Sequence, residues 1–238
     1  MSSLRKQHII TFYKLINELE DIIDGRRYFR DCNGRMEWPD KGVYFFFEEG
    51  EYLEDQKDIG RVVRVGTHAI TIGAQATLWQ RLRQHKGNEN GNFGENGGNH
   101  RGSIFRKILG EAIINNKNLK CDTWGEGNNA TVNIREHEHF VEEKVSDYIR
   151  NKMPFIFVEI NDDPSPASDR AFVERNSIAL LSNFQKDIIH PSSEDWLGYN
   201  SNRERVQKSG LWNQNHVDET YDPDFLLVLK KYINNIGN

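Results

Sequence analysis

Three pieces of one stretch, Gly42-Val-Tyr-Phe-Phe-Phe47, Arg61-Val-Val-Arg-Val-Gly-Thr-His68 and Leu78-Trp-Gln-Arg-Leu-Arg-Gln-His85, decide how this chain is read. The first two are short apolar runs rich in β-branched and aromatic residues, separated by polar turn-formers, and they predict a strand pair. Side chains alternate along a pleated strand, which places Val43, Phe45 and Phe47 on one face and Tyr44 and Phe46 on the other. Gly66 closes the second run, where the backbone needs a freedom that a side chain would remove. In the third piece Thr77, Arg81 and His85 recur every four residues on one helical stripe, with Leu78 and Leu82 beside it to face a core. A phenol, a guanidinium and an imidazole are expected on one patch.

Gly42-Val-Tyr44, Arg64-Val-Gly-Thr67 and Leu78-x-x-Arg81-Leu82-x-x-His85, followed downstream by Glu174 and Asn183, resemble the ordered motifs of the GIY-YIG nuclease family. Arg64 stands where the family usually has tyrosine, and the connection between the first two motifs is longer than usual. The fold expected from this order is α/β, a small, mainly antiparallel sheet flanked by helices. Residues 1–41 would form an N-terminal helical extension packed on the core, 42–190 the nuclease core with insertions, and 191–238 a C-terminal extension of the same domain.

Composition sets the outer bounds. With 37% hydrophobic residues, five tryptophans and thirteen phenylalanines in 238 residues, the chain can build one substantial core. No apolar run is long enough to span a bilayer, and Met1-Ser-Ser-Leu-Arg-Lys-Gln-His8 leads into an amphipathic stretch rather than a signal peptide. Cys32 and Cys121 stand far apart with no metal-like spacing, so a reducing, cytoplasmic home is expected. The net charge of −5 argues against unspecific attraction to nucleic acid, but its distribution is uneven. Residues 61–120 hold ten basic and three acidic side chains, a local +7. Arg83, Lys86, Arg101 and Arg106 within that window are candidates for a phosphate-binding face, weighed evenly against ordinary solvated helix faces.

Outside the motifs, Ile9, Phe12, Ile16, Leu19 and Ile23 form the apolar stripe of a packing helix over Leu4–Asp24, stopped by Gly25. Asp31–Lys41 reads as a connector and the acidic run Glu48–Asp58 as a solvated loop. Gly87–His100, almost all glycine and asparagine around Glu89, Phe93 and Glu95, is expected to be mobile, with closure over a bound strand and disorder without function weighed evenly. Ser103 caps a core helix from Ile104 to about Asn115, and another helix follows near Glu136–Arg150. In the latter, His137 and His139 point to different sides, so His137-Glu-His139 is not a metal site. Pro154–Ile160 reads as a buried strand. In the tail, Ser201-Asn-Arg-Glu204 has the capping-box pattern, and Asp222-Pro223 opens a last helix through Leu226, Leu229 and Ile233. Trp196, Tyr199 and Trp212 are expected to fasten the tail to the core.

Ser168 caps the helix in which Ala171, Glu174, Ile178 and Leu181 share one stripe. A carboxylate on a core-facing stripe requires a cation, a metal or donors, because burying it unpaired costs several kcal/mol. By itself the stripe favours a structural pair with Arg175 or another arginine. The family resemblance shifts the reading to a divalent-metal ligand in a metal-dependent endonuclease acting on phosphodiester bonds, with double-stranded DNA as its partner. Under that resemblance Glu174 holds one Mg²⁺ (or Mn²⁺), Arg81 grips the phosphate, and Tyr44 orients or deprotonates the attacking water. His85 takes up that proton or positions the tyrosine. Arg64 lowers the phenol's pKa or grips a phosphate oxygen, and Asn183 supports the metal side or caps its helix. With no separate recognition domain, specificity would come from loops or from a homodimer. Two other readings share the fold: a nucleic-acid-binding module without cleavage, and an interaction protein with a buried Arg81–Glu174 pair.

Overall fold

Val43, Phe45 and Phe47 pack into one core and Tyr44 and Phe46 into another, so the first predicted strand is central and buried on both faces. The computed structural model describes residues 2–91 and 94–236. In chain order its elements are α1 (Ser2–Ile22), β1 (Gly42–Leu53), β2 (Gln56–Gly66), α2 (Leu78–Lys86), β3 (Asn90–Gly91), β4 (Gly94–Glu95), α3 (Ile104–Asn116), α4 (Val132–Lys152), β5 (Phe155–Glu159), α5 (Asp169–Leu181), α6 (Glu204–Ser209) and α7 (Phe225–Asn234). The sheet runs β2-β1-β5 and is antiparallel throughout, as expected of an α/β fold with a small antiparallel sheet. Helices α1, α5 and α7 cover the Phe45 face, and α2, α3 and α4 cover the Phe46 face.

The alternation is broken at one place. Phe46 pairs with Arg64 and Phe47 with Val62, which leaves Val63 as an extra residue in β2. In such a bulge two successive residues oppose one partner and the strand is re-aimed. Val63 and Arg64 both therefore reach the α3 side, Val63 in the core and the Arg64 guanidinium 4.6 Å from the centre of the Phe105 ring.

Two expectations need correction. The acidic run is not a solvated loop, because the strands continue through it to a tight turn. Glu48 and Glu51 are buried, and each has donors that make burial tolerable. The indole N–H groups of Trp196 and Trp212 donate to Glu48 Oε2 at 3.2 and 2.7 Å, while Arg61 Nη2 donates to Glu51 Oε2 at 2.5 Å. The Gly/Asn-rich segment also takes up structure: β3 and β4 form a small hairpin, and Ser146 on α4 donates to the Gly97 carbonyl at 2.9 Å. Asn92 and Phe93 lie outside the described residues.

The helix signals are realised unevenly. Ser103 and Ser168 cap α3 and α5 through their hydroxyls. The capping box at Ser201–Glu204 does not form; Ser201 Oγ accepts from Arg203 N in a local turn, and α6 starts without a side-chain cap. The tail is integral to both cores. Trp212 is fully buried and its N–H donates to the Val63 carbonyl at 2.7 Å, which pairs the outer edge of β2 at its bulge. No helix among the described residues is long and apolar enough to cross a membrane.

Candidate active site

Tyr44 lies across the end of the sheet against Gly66, its partner on β2. A Cβ on Gly66 would sit 2.4 Å from the Tyr44 ring, so glycine is needed there for close approach. The phenol oxygen is 2.9 Å from His85 Nε2, and His85 Nδ1 is 2.8 Å from Ser103 Oγ. Helix α2 delivers this imidazole because Thr77 and Gln80 close a capping box that fixes its start, while Leu78 and Leu82 bury its inner face. His85 is fully buried; that burial, with Arg81, Arg64 and Arg106 around it, holds its pKa well below the ordinary histidine value. The ring is neutral at physiological pH.

Arg64 is buried, and no carboxylate among the described residues pairs it. Its Nη1 donates to the Trp212 carbonyl at 2.8 Å, and its Nε has no partner. Burial lowers its pKa, opposed by the neighbouring Tyr44 and Glu174, while Arg81 adds to the lowering. Arg81 is half-buried and donates to Gln84 Oε1 at 2.9 Å and toward the Gly102 carbonyl at 3.4 Å. Two guanidiniums beside one phenol, neither with a carboxylate partner, make a site short of anions.

The missing negative charge comes from the opposite side. Glu174 on α5 reaches the point where the chain leaves β2, and its Oε1 accepts from Thr67 N at 3.1 Å. Thr67 is itself pinned by a 2.8 Å bond from its hydroxyl to the Gly42 carbonyl. Burial raises the Glu174 pKa, opposed by Arg64, His216, the Thr67 N–H and Arg81. The buried Arg81–Glu174 pair is not formed, and Arg175 instead binds Glu219. Glu174 Oε2 has no donor among the described residues. Among these residues no group of three or more His, Cys, Asp and Glu side chains could hold a metal. The donor set therefore does not suit an ion enclosed by protein ligands. One carboxylate with a free oxygen does fit Mg²⁺, which keeps waters and takes its remaining ligands from substrate phosphates.

Tyr44, Arg64, Arg81, His85 and Glu174 thus converge, but other predicted site residues do not join them. Asn183 lies nine residues beyond Glu174 on the chain, ~13 Å along a helical path. Its carboxamide binds Ile189 N at 3.0 Å, the Ile189 carbonyl at 3.2 Å and Arg5 at 3.2 Å, clasping a loop to α1. Three of the four expected phosphate-binding cations are likewise occupied. Arg101 pairs with Glu138 and the fully buried Arg106 with Glu142, both on α4, while Lys86 donates to the Cys32 carbonyl at 2.6 Å and pairs with Glu89. Arg83 alone of the four is exposed and, among the described residues, without a charged partner. Ser103, Thr67 and Trp212 were not read as site residues. Ser103 reads as a helix cap and Thr67 only as the end of the second motif, and nothing local connects Trp212 to Arg64.

A family model described as a GIY-YIG domain matches residues 3–238. The chain belongs to the GIY-YIG domain family. No curated protein and no solved structure matches it. GIY-YIG domains are generally endonucleases that act on nucleic acid, and the match covers both extensions as well as the central motifs. In this GIY-YIG domain the second-motif position is Arg64, and its regular pairing with Phe46, two residues along β1 from Tyr44, puts its guanidinium on the Tyr44 face.

Proposed function

We propose that this chain is a metal-dependent endonuclease that hydrolyses phosphodiester bonds in double-stranded DNA. The observation that carries this reading is Arg64, a buried guanidinium with no carboxylate beside Tyr44. What distinguishes it is its place, with a spare donor near a phenol and across from Glu174. Arg81, at the rim, binds the scissile phosphate and opposes the charge that grows on it. Tyr44 orients the attacking water or takes its proton, and Arg64 favours negative charge on the phenol oxygen. A guanidinium cannot itself serve as base. His85, neutral and enclosed by three arginines, holds the phenol in place rather than storing a proton. Glu174 would hold Mg²⁺ (or Mn²⁺), which supplies Lewis-acid stabilisation of the leaving oxygen when bound. Cleaving both strands would take two such sites, as a homodimer provides. The two buried free thiols, Cys32 and Cys121, fit a reducing cytoplasm.

The test is plasmid nicking with Mg²⁺ or EDTA on the wild type, Glu174→Gln, Arg81→Ala and Tyr44→Phe. Mg²⁺-dependent nicking is expected in the wild type and absent in EDTA, with losses of about 10²–10⁴-fold in Tyr44→Phe. DNA binding without nicking in the wild type would favour a module that kept the fold and lost cleavage.

A further inference from the structure

On the flank of α2 opposite Arg81, two residues away on the helix, lies a feature that hydrolysis does not use. Trp38 from the connector before β1 stacks on Trp79 of α2, with ring centroids 4.7 Å apart and planes 21° apart. On its other side Trp38 packs against Phe157 at 5.5 Å and Phe155 at 6.3 Å, and Arg27 lies 5.3 Å from the Trp38 ring. The stack therefore runs outward from the core and ends at Trp79, which is half-buried. The Trp38 indole N–H donates to the Asn33 carbonyl at 2.9 Å, whereas the Trp79 indole N–H has no acceptor among the described residues.

The connector is fastened along α2 on both sides of this ring. Lys86 holds the Cys32 carbonyl, Leu78 N donates to the Asp40 carbonyl at 2.9 Å, and Gly34 lies so close that a Cβ there would be 2.7 Å from Trp79 Nε1. Two exposed arginines flank the ring. Arg83 is one turn on from Trp79 on the same helix stripe, and Arg35 follows Gly34; neither guanidinium has a carboxylate partner among the described residues. Glu37 is the one acidic side chain between Asn33 and Pro39. An aromatic face with phosphate-binding cations beside it is the chemistry of a base-stacking platform. Fully paired duplex offers no free base face, so the ligand must present an unstacked base.

We propose that Trp79 stacks an unpaired nucleobase on the flank of α2 turned away from Arg81, with Arg83 and Arg35 on the flanking phosphates. The favoured substrate is then DNA carrying a single-stranded segment or an unstacked base to one side of the cleavage position. This rests on the phosphodiesterase reading and narrows its substrate.

Binding is measured by fluorescence anisotropy with the Glu174→Gln chain on a blunt duplex and on the same duplex with a single-stranded extension. Tighter binding of the extended duplex is expected. Trp79→Leu in that background should weaken it about tenfold and leave the blunt duplex unchanged, and Trp79→Tyr should restore it. A 5-iodouracil in the extension should photo-crosslink to Trp79 of the Glu174→Gln chain, which decides the matter even if Trp79→Leu does not fold. Equal affinity of Trp79→Leu and its parent for both DNAs, or a crosslink mapping elsewhere, overturns this inference and leaves the nuclease reading standing. No binding of either DNA by the Glu174→Gln chain overturns both.

Discussion

Glu174 sits where its charge is costly, and the proposed metal-holding role needs it charged. Burial pushes its carboxyl pKa up, and only Arg64, His216, Thr67 N–H and Arg81 resist that push. The stability sign follows. An unfolded glutamic acid titrates near ~4.3, so a raised folded value means that the native state binds more protons as the pH climbs through the interval between them. Stability is then lost with rising pH, and the full loss is reached above the folded pKa. Glu174→Gln removes the charge and keeps a carbonyl for the Thr67 N–H. In metal-free buffer its Tm is expected to match the wild type near pH 4 and to exceed it at pH 8. Mg²⁺ should raise the Tm of the wild type and not of the variant, because only a ligand-binding native state gains from added ligand. A Gln variant less stable than wild type at pH 8 would show that Glu174 is a structural pair member.

At the scale of elements, the Gly/Asn-rich segment and α3 are held to α4 by one buried carboxylate. Glu142 Oε1 accepts from His100 N at 2.6 Å and His100 Nδ1 at 2.9 Å, and its Oε2 accepts from Arg106 at 2.6 Å. Burial opposes ionisation of Glu142, but Arg106 and His100 outweigh it and bring its pKa down to about 2. A depressed carboxyl stabilises the fold above the unfolded value near ~4.3 and loses that contribution as the pH falls toward about 2. Glu142→Gln leaves Arg106 buried without its counter-charge, which costs about 3–5 kcal/mol at neutral pH. In an acid titration followed by circular dichroism, the wild type should lose stability steeply between pH 4 and 2 and the variant should not. Superimposable acid transitions would contradict this role. The same network explains why the basic window misled: its charges are real, yet Arg101 and Arg106 were spent on α4 glutamates that no local pattern reveals.

Over the whole molecule, the C-terminal tail is a working part of the fold rather than an appendage. Trp212 bonds to the bulge in β2 through its backbone, gives its carbonyl to Arg64 and its indole N–H to Glu48. Trp212→Ala is expected to cost about 3–5 kcal/mol in denaturant unfolding and to leave Glu48 short of a donor. Removing residues 211–238 strips this edge together with α7 and should abolish the cooperative transition altogether. A truncated chain that unfolds cooperatively with wild-type midpoint would show the tail to be dispensable.

What the sequence determined by itself is what short-range periodicity encodes. Alternation placed Phe45 and Phe46 on opposite faces, helical spacing placed Arg81 and His85 on one stripe and Glu174 on a core-facing one, and Ser103 and Ser168 announced their helices. The motif order was enough to bring Tyr44, Arg81 and His85 together. Tertiary structure decided whatever depends on a partner far along the chain. Whether Arg106 meets phosphate or Glu142, whether Glu48 is solvated or buried under two indoles, and whether Asn183 serves the site or a loop all turn on residues separated by many positions. A charged side chain carries no local signal of its counter-charge. Only the folded chain sets who neutralises whom.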